Sequence, residues 1–383
     1  MPWIVVATAC SFRPTESAPG DAAIGIDGAD SAVNTPDSPD GVVIPDGWWN
    51  SAWTKRSEVE IDNTNISAEL DHFPVLVTLT PTTFDYASST GTDIRFVAAD
   101  NTTLLAYDVD TFAAGSTSQI WVSVPVIAAS PSTHTTFWIY YGNPSAVGAT
   151  DPQMVWSEFV SVHHLSDDSD ATQNKHTGTA PSGDTPTTAT AGLLGAAQSF
   201  NGTSQAMGLA TPTDFDFKSF TIGVWINSNP FSANYQCFFC KGDSEWRLQR
   251  ADANPQAEFG TTDTGANNVD GTSTVDDNHW HFIAATFDAN NNYKKILYVD
   301  GAIQGSDNAG ALATNAYAPV IGENQESTTP AHRYFSGTID EVRTTAMVRN
   351  ANWIATEYAM IAGATAINPS ISAIVTLHPV QSL

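Results

Sequence analysis

Two carboxylates stand side by side in the stretch FSGTIDEVR, Asp340 and Glu341. The stretch reads as a β-strand, on which neighbouring side chains point to opposite faces. One of the pair is therefore expected to point toward the side on which Ile339 or Val342 packs. A catalytic acid, a metal ligand and a structural hydrogen-bond acceptor are the three roles open to it. Glycoside hydrolysis needs two carboxyls facing one sugar, about 5–9.5 Å apart, and diverging neighbours fail that test. Asp243 and Glu245 share a strand face without a partner motif, and the chain carries no G-x-S-x-G, H-E-x-x-H or P-loop. The residues argue against an enzyme.

Calcium asks for six to eight oxygens on flexible loops. Two loops offer them: KGDSEW, with Asp243, Ser244 and Glu245, and IGENQES, with Glu323, Asn324, Gln325 and Glu326. A second oxygen set joins Asp340 to Asn201 of the FNG turn, with Asp167 or Asp170 nearby. An ion there would be structural, although hydrogen bonding within a turn accounts for Asp170 equally well. DANNNY (Asp288 to Tyr293) begins like an EF-hand, but Tyr293 and Val299 stand where Gly and Glu are required; it reads as a hairpin loop. His163–His164 and the pair flanking Trp280, His279 and His281, read as strand-edge packing rather than as metal ligands. Cys237 and Cys240 form a lone C-x-x-C whose side chains a regular strand would send to opposite faces, so they read as separate strand cysteines. Sugars stack on aromatic rings, and Tyr235, Trp246 and Tyr334 lie beside the two acidic loops. Arg247 and Arg333 can hold an anionic group or balance the local acidity. Trp225, alternating with Ile222 and Val224, is expected in a core.

The elements that position these groups are strands. The 383 residues carry a formal net charge of −27 with only 14% charged residues. That surface excludes nucleic acid and anionic membranes as partners, because phosphate binding needs clustered Lys and Arg. No run of about 18 apolar residues exists to cross a bilayer as a helix. VVATAC, ending at Cys10, is similar to a lipobox on a leader too short for a usual signal; residues 1–10 are expected to be a truncated lipoprotein-like signal, with Cys10 as the lipidated residue. Residues 11–47 are rich in Asp, Pro, Ser and Gly without an apolar period, and read as a disordered acidic linker. From GWWNSAWTKR onward, short β-branched and aromatic runs recur about every ten residues, the pattern of an all-β chain of two β-sandwiches. The first spans 48–150 and the second, a jelly roll, 151–366, with a C-terminal tail at 367–383. One short helix is expected at NANWIATEYAMI, capped by Asn350 or Asn352, with Ile354, Tyr358 and Ile361 on its buried stripe.

Two resemblances follow. WWNSAWTKR, DIRFVAADNTTLLAYDVDTF and FWIYYGNPSA resemble the bacterial surface module DUF2341, which implies a fold and a surface setting without a known chemistry. VHHL, DATQNKHTGT, GAAQSFNGTSQ, FTIGVWIN, HWHFIAATFD, LYVDG, IGE and FSGTIDEVR, in that order, resemble a concanavalin A-like jelly roll of the laminin-G and pentraxin type. That resemblance implies glycan binding or adhesion and makes Asp340 positional rather than catalytic. The acidic loops are similar to the calcium loops of pentraxins, which implies that Asp243 and Ser244 face Asn324, Gln325 and Glu326. Ser244 and Asn324 depart from that pattern and reduce its anionic charge. The expectation is an extracellular or cell-envelope protein, an outer-membrane lipoprotein if Cys10 is lipidated. Its jelly roll would bind a glycan or cell-surface polymer with calcium as cofactor; the rivals are a structural adhesive protein and a hydrolase or its accessory domain.

Overall fold

The computed structural model describes residues 47–383 apart from 182–184, 189–190, 262–267, 329, 366 and 368–373. Cys10 and the linker as far as residue 46 lie outside the described residues. Apart from the helix Ala351–Thr365 and short helical turns, the regular structure of the described residues is antiparallel strand, as the alternation requires. In Lys55–Ile61, for example, Ser57, Val59 and Ile61 are buried while Glu58 and Glu60 between them are half-buried. This strand pairs with Thr135–Tyr141, and the sheet continues through Arg95–Ala98 to Leu104–Leu105. Leu70–Leu79, Ser118–Ile127 and Tyr107–Thr111 form a three-stranded sheet. These two sheets make the first sandwich. The tryptophan-rich entrance packs on it, with the Arg56 guanidinium over Trp138 at 4.0 Å and Trp48 at 4.6 Å. The C-terminal tail also joins this sandwich: Val375–Leu377 and Gln381–Ser382 pair with Lys55–Ile61 on the side away from Thr135–Tyr141.

The jelly roll stacks an eight-stranded sheet on a seven-stranded one. Phe220, Ile222, Val224 and Ile226 of the first meet Phe239, Leu248 and Phe259 of the second in one core. A regular outer face would be polar. Here Trp225, Phe282, Ala284 and Tyr298 are buried on the other side of the eight-stranded sheet, in a core shared with the first sandwich and with the helix Ala351–Thr365. Trp225 thus fills a core, but the shared one. Asn350 caps the helix, its Oδ1 accepting from the Trp353 N–H at 2.9 Å. Asn352 instead accepts from the Ser67 N–H of the first sandwich at 2.9 Å.

The strand Ser336–Thr345 resolves the paired carboxylates. Asp340 lies opposite Trp225 and Arg343 opposite Gly223, so Glu341 and Val342 together face the single residue Val224. Glu341 takes the left-handed conformation of such a bulge, at φ 49°. The bulge shifts the phase, so Ile339 and Val342 both enter the jelly-roll core while Asp340 and Glu341 are aligned outside it. Asp340 is a structural acceptor: Oδ2 takes the Leu193 and Leu194 N–H groups at 2.8 and 3.0 Å. The oxygen set proposed around it is not assembled. Asn201 accepts from Thr203, Ser204 and Gln205 in its own turn, and Asp170 from Val162, Thr172 and His176. Each closes a separate loop rather than contributing to one cation site. The cysteine expectation also changes. A register shift between Cys237 and Phe239 breaks the alternation, and Cys237 and Cys240 are joined by a disulfide.

Trp353 is 5% exposed and packs on Phe73 of the first sandwich at 4.6 Å. Trp353→Ala is expected to cost about 3–5 kcal/mol. Because the core is shared, calorimetry should show both sandwiches melting in one lowered transition rather than one sandwich melting ahead of the other.

Candidate binding site on the jelly roll

Cys237–Cys240, Arg247–Arg250 and Gln256–Gly260 are neighbours in the seven-stranded sheet. Leu248 and Phe259 point into the core, so Arg247, Gln249 and Glu258 occupy the opposite face. Gln249 lies across from Glu258 and donates Nε2–H to its carboxylate at 2.7 Å. Arg247 lies across from Gly260, where an added Cβ would stand 2.6 Å from the guanidinium carbon. The missing side chain at Gly260 leaves the guanidinium its present place. Arg247 then donates to the Asp243 carbonyl at 2.6 Å and to Asn268 Oδ1 at 3.0 Å.

The acidic loops close over one end of this face. Asp243 Oδ1 accepts from Arg333 Nη1 at 2.6 Å and from Asn324 Nδ2 at 2.8 Å. Glu326 accepts from the Ser244 N–H and hydroxyl at 2.8 Å. Arg333 lies over the Tyr235 ring at 4.8 Å, and His332 stacks on Tyr334 at 5.4 Å with 24° between the planes. Tyr235, His332 and Arg333 have φ values of 56°, 61° and 48°. Non-glycine residues in this left-handed region carry strain that collects at functional sites.

Most of the proposed residues therefore meet: Asp243, Ser244, Asn324 and Glu326 interlock, Gln325 sits half-buried between its neighbours, and half-buried Tyr235 and Tyr334 flank them. Trp246 does not join them. It is fully buried against Phe239 at 5.0 Å, because its place in the alternation points it into the core, so it offers no platform for a sugar. Gln249 and Glu258 were missed, although the alternation Arg247, Gln249 on one strand was a signal for a polar face. For a calcium ion, the Asn324 Oδ1 atom is a fitting ligand, since it is buried without a partner beside Asp243. Against that, Arg333 already brings a positive charge to Asp243. Glu258 is buried, and that burial pushes its carboxyl up to about 7 in spite of the Arg247 charge.

Residues 200–355 match the family model Laminin_G_3, the concanavalin A-like lectin/glucanases superfamily, and residues 90–177 match DUF2341, a domain of unknown function. The two modules follow each other in the order the sequence resemblance implied. No curated protein matches the chain. Among solved structures, the binding domain of paraclostridial mosquitocidal protein 1 aligns at 13% identity and a TM-score of 0.43, covering 53% of this chain and 52% of that one. The chain thus spans about half the length of that structure. Domain 4 of an extracellular arabinanase from Geobacillus stearothermophilus, in complex with arabinotriose, aligns at 20% identity and 0.41, covering 52% of this chain and 97% of that one. The receptor-binding domain of a botulinum neurotoxin C/D mosaic serotype aligns at 12% and 0.39, covering 53% and 51%.

A carboxyl whose folded pKa is raised stabilises the fold below its unfolded value, and that contribution is lost as pH rises through the folded value. For Glu258 the loss should run from roughly pH 4.5 to about 7. Glu258→Gln is expected to make that part of the stability profile less steep, measured by urea unfolding at successive pH values; an unchanged slope would contradict the burial effect.

Proposed function

From a chain that sets a DUF2341 module ahead of a concanavalin A-like domain, we propose a non-catalytic extracellular module whose jelly roll binds a glycan or cell-surface polymer. One observation carries this reading: the Tyr235–Arg333 and His332–Tyr334 stacks, held at left-handed backbone positions beside Asp243 and Asn324. Ring faces take the C–H faces of a sugar, and flanking planar amide, carboxylate and guanidinium groups take its hydroxyls. The formal charge of −27 favours a neutral ligand over a polyanion. Catalysis is disfavoured because both carboxyls that burial pushes up to about 7 here are covered: Glu258, 4% exposed, by Gln249 and Arg247, and Glu245, 1% exposed, by Lys241. An exported location is supported by the Cys237–Cys240 disulfide, since such bonds persist in oxidising compartments. Lipidation at Cys10 would anchor the module to a membrane without spanning it.

Calcium enters this reading as a competitor of Arg333. An ion held by Asp243, Ser244, Asn324 and Glu326 would have to displace the guanidinium from Asp243, so its effect on the wild type is expected to be small.

On a glycan array the wild type is expected to bind saturably and without turnover, and Tyr235→Ala or Tyr334→Ala to weaken binding about tenfold, or about 1.4 kcal/mol. Absence of saturable binding would favour the structural, adhesive reading; cleavage of a bound glycan would favour a hydrolase. In thermal unfolding, ligand binding raises the midpoint by mass action. Arg333→Gln should therefore show a larger calcium-dependent rise than the wild type, one that disappears when Asp243→Ala and Glu326→Ala are added. No calcium effect in Arg333→Gln would end the calcium reading and leave the glycan reading standing.

A further inference from the structure

Where the first sandwich meets the outer face of the eight-stranded sheet, Asp108, Asp110, His164, Glu341 and Arg343 are enclosed together with Trp121 and Trp156. Two of the acids arrive there by the same device. In the first sandwich, Val109 pairs with Ile120 and Thr111 with Gln119, which leaves Asp110 as the extra residue of a bulge. In the jelly roll, Glu341 occupies the bulge already described. Bulges re-aim side chains, and these two aim carboxylates from separate sandwiches at one imidazole. A ligand atom from each of Asp110, His164 and Glu341 lies within 4.8 Å of the other two, the only such trio of His, Cys, Asp or Glu among the described residues.

The partners of the trio are assigned except at one point. His164 Nε2 is 3.2 Å from Asp108 Oδ2, which also accepts from the Trp156 indole N–H at 2.8 Å. His164 Nδ1 is 2.8 Å from Glu341 Oε1. The other Glu341 oxygen accepts from Arg343, whose guanidinium lies over Trp121 at 4.2 Å and Trp156 at 4.8 Å. Asp110 is the exception: both of its carboxylate oxygens are buried, and neither accepts a hydrogen bond. A desolvated carboxylate without a partner is costly. A proton would occupy one of those oxygens and leave the other bare, whereas a cation can be shared by both.

We infer that Asp110, Glu341 and His164 form a binding site for a divalent transition-metal cation at the junction of the two sandwiches. In the metal-free chain a proton lies between Nδ1 and Glu341; an ion that replaces it would meet the Nδ1 lone pair, with Nε2–H donated to Asp108. That is the carboxylate–imidazole–metal arrangement in which an outer carboxylate fixes the tautomer. Arg343 plays the corresponding part for Glu341. One imidazole nitrogen and two carboxylates suit Zn²⁺, Mn²⁺ or Fe²⁺ better than Ca²⁺, which prefers an all-oxygen shell. The side chains of His164 and Asp108 keep 13% and 12% exposure, so the His164 edge of the cluster is the side nearest solvent. The site draws one ligand from the first sandwich and two from the jelly roll, so an ion there would fasten the modules together.

The test uses the full chain, stripped with chelator and titrated with Zn²⁺ or with Co²⁺ as a spectroscopic probe. Tight binding of one Zn²⁺ per chain is expected, together with a Co²⁺ d–d spectrum and a rise in thermal midpoint. Asp110→Asn, nearly isosteric, should abolish all three, and Asp108→Asn should weaken binding about 10- to 100-fold. Glu326→Gln, in the distant acidic loop, should change none of them. The inference is overturned if the wild type holds no tight equivalent, or if Asp110→Asn binds as the wild type does. It is equally overturned if Asp110→Asn stabilises a wild type that binds no metal, since a proton on Asp110 would then be the answer. Should Asp110→Asn not fold, the wild type's metal content and the loss of its Co²⁺ spectrum in His164→Gln decide.

Discussion

An apolar outer face on the eight-stranded sheet is the constraint around which the protein is built. Trp225, Phe282 and Tyr298 sit on the side of that sheet which a free-standing sandwich would turn to water, and large apolar surface left in water is unfavourable. The helix Ala351–Thr365 covers it, Tyr358 stacking on Trp225 at 5.7 Å, and the strand Leu70–Leu79 packs on the helix in turn through Phe73 and Leu76. The first sandwich is therefore as much the cover of the jelly roll as a module of its own. Sequence boundaries near residue 150 mark where the chain passes between sandwiches; they do not mark where packing stops.

Regular pleating supplies the cores, and departures from it supply the chemistry. At Glu341 and Asp110 an extra residue turns a carboxylate toward the junction. At Cys237 an irregular register accompanies the disulfide. At Tyr235, His332 and Arg333 left-handed backbone sets the ring and guanidinium stacks of the proposed binding face. Each irregularity is tolerated because a rigid, well-packed sheet lies behind it, as strained functional positions require.

The all-β class, the two sandwiches, the Asn350 cap and the helical stripe of Ile354, Tyr358 and Ile361 were legible because they rest on periodicity and local capping. The meeting of Asp243 and Ser244 with Asn324 and Glu326 was legible only through family resemblance. Bulges were not legible, since a one-residue phase shift leaves hydrophobic alternation looking intact on either side. That is why Asp340 and Glu341 were assigned to opposite faces and Cys237 was separated from Cys240. Trp246 misled for a related reason: its polar neighbours in GDSEWR resemble a loop, while its own position directly precedes the strand Arg247–Arg250 and keeps that strand's alternation. Pairing of the tail with Lys55–Ile61 lay beyond reach, because three residues of strand carry too little pattern to name a partner more than 300 positions away.

That tail pairing bears on how the folded unit would carry mechanical load. Lys55 lies beside Ser382 and the Leu383 N–H reaches the Thr54 carbonyl at 3.0 Å, so the start of the strand Lys55–Ile61 and the end of Gln381–Ser382 lie at the same end of one antiparallel pair. Tension drawn between these two ends would open that pair like a zip, one ladder bond at a time, rather than shear all its bonds together. Tension drawn instead between residue 47 and the jelly-roll face would have to cross the shared core and the charged junction around His164, where many contacts yield together. The same molecule would thus be compliant along one axis and stiff along the other.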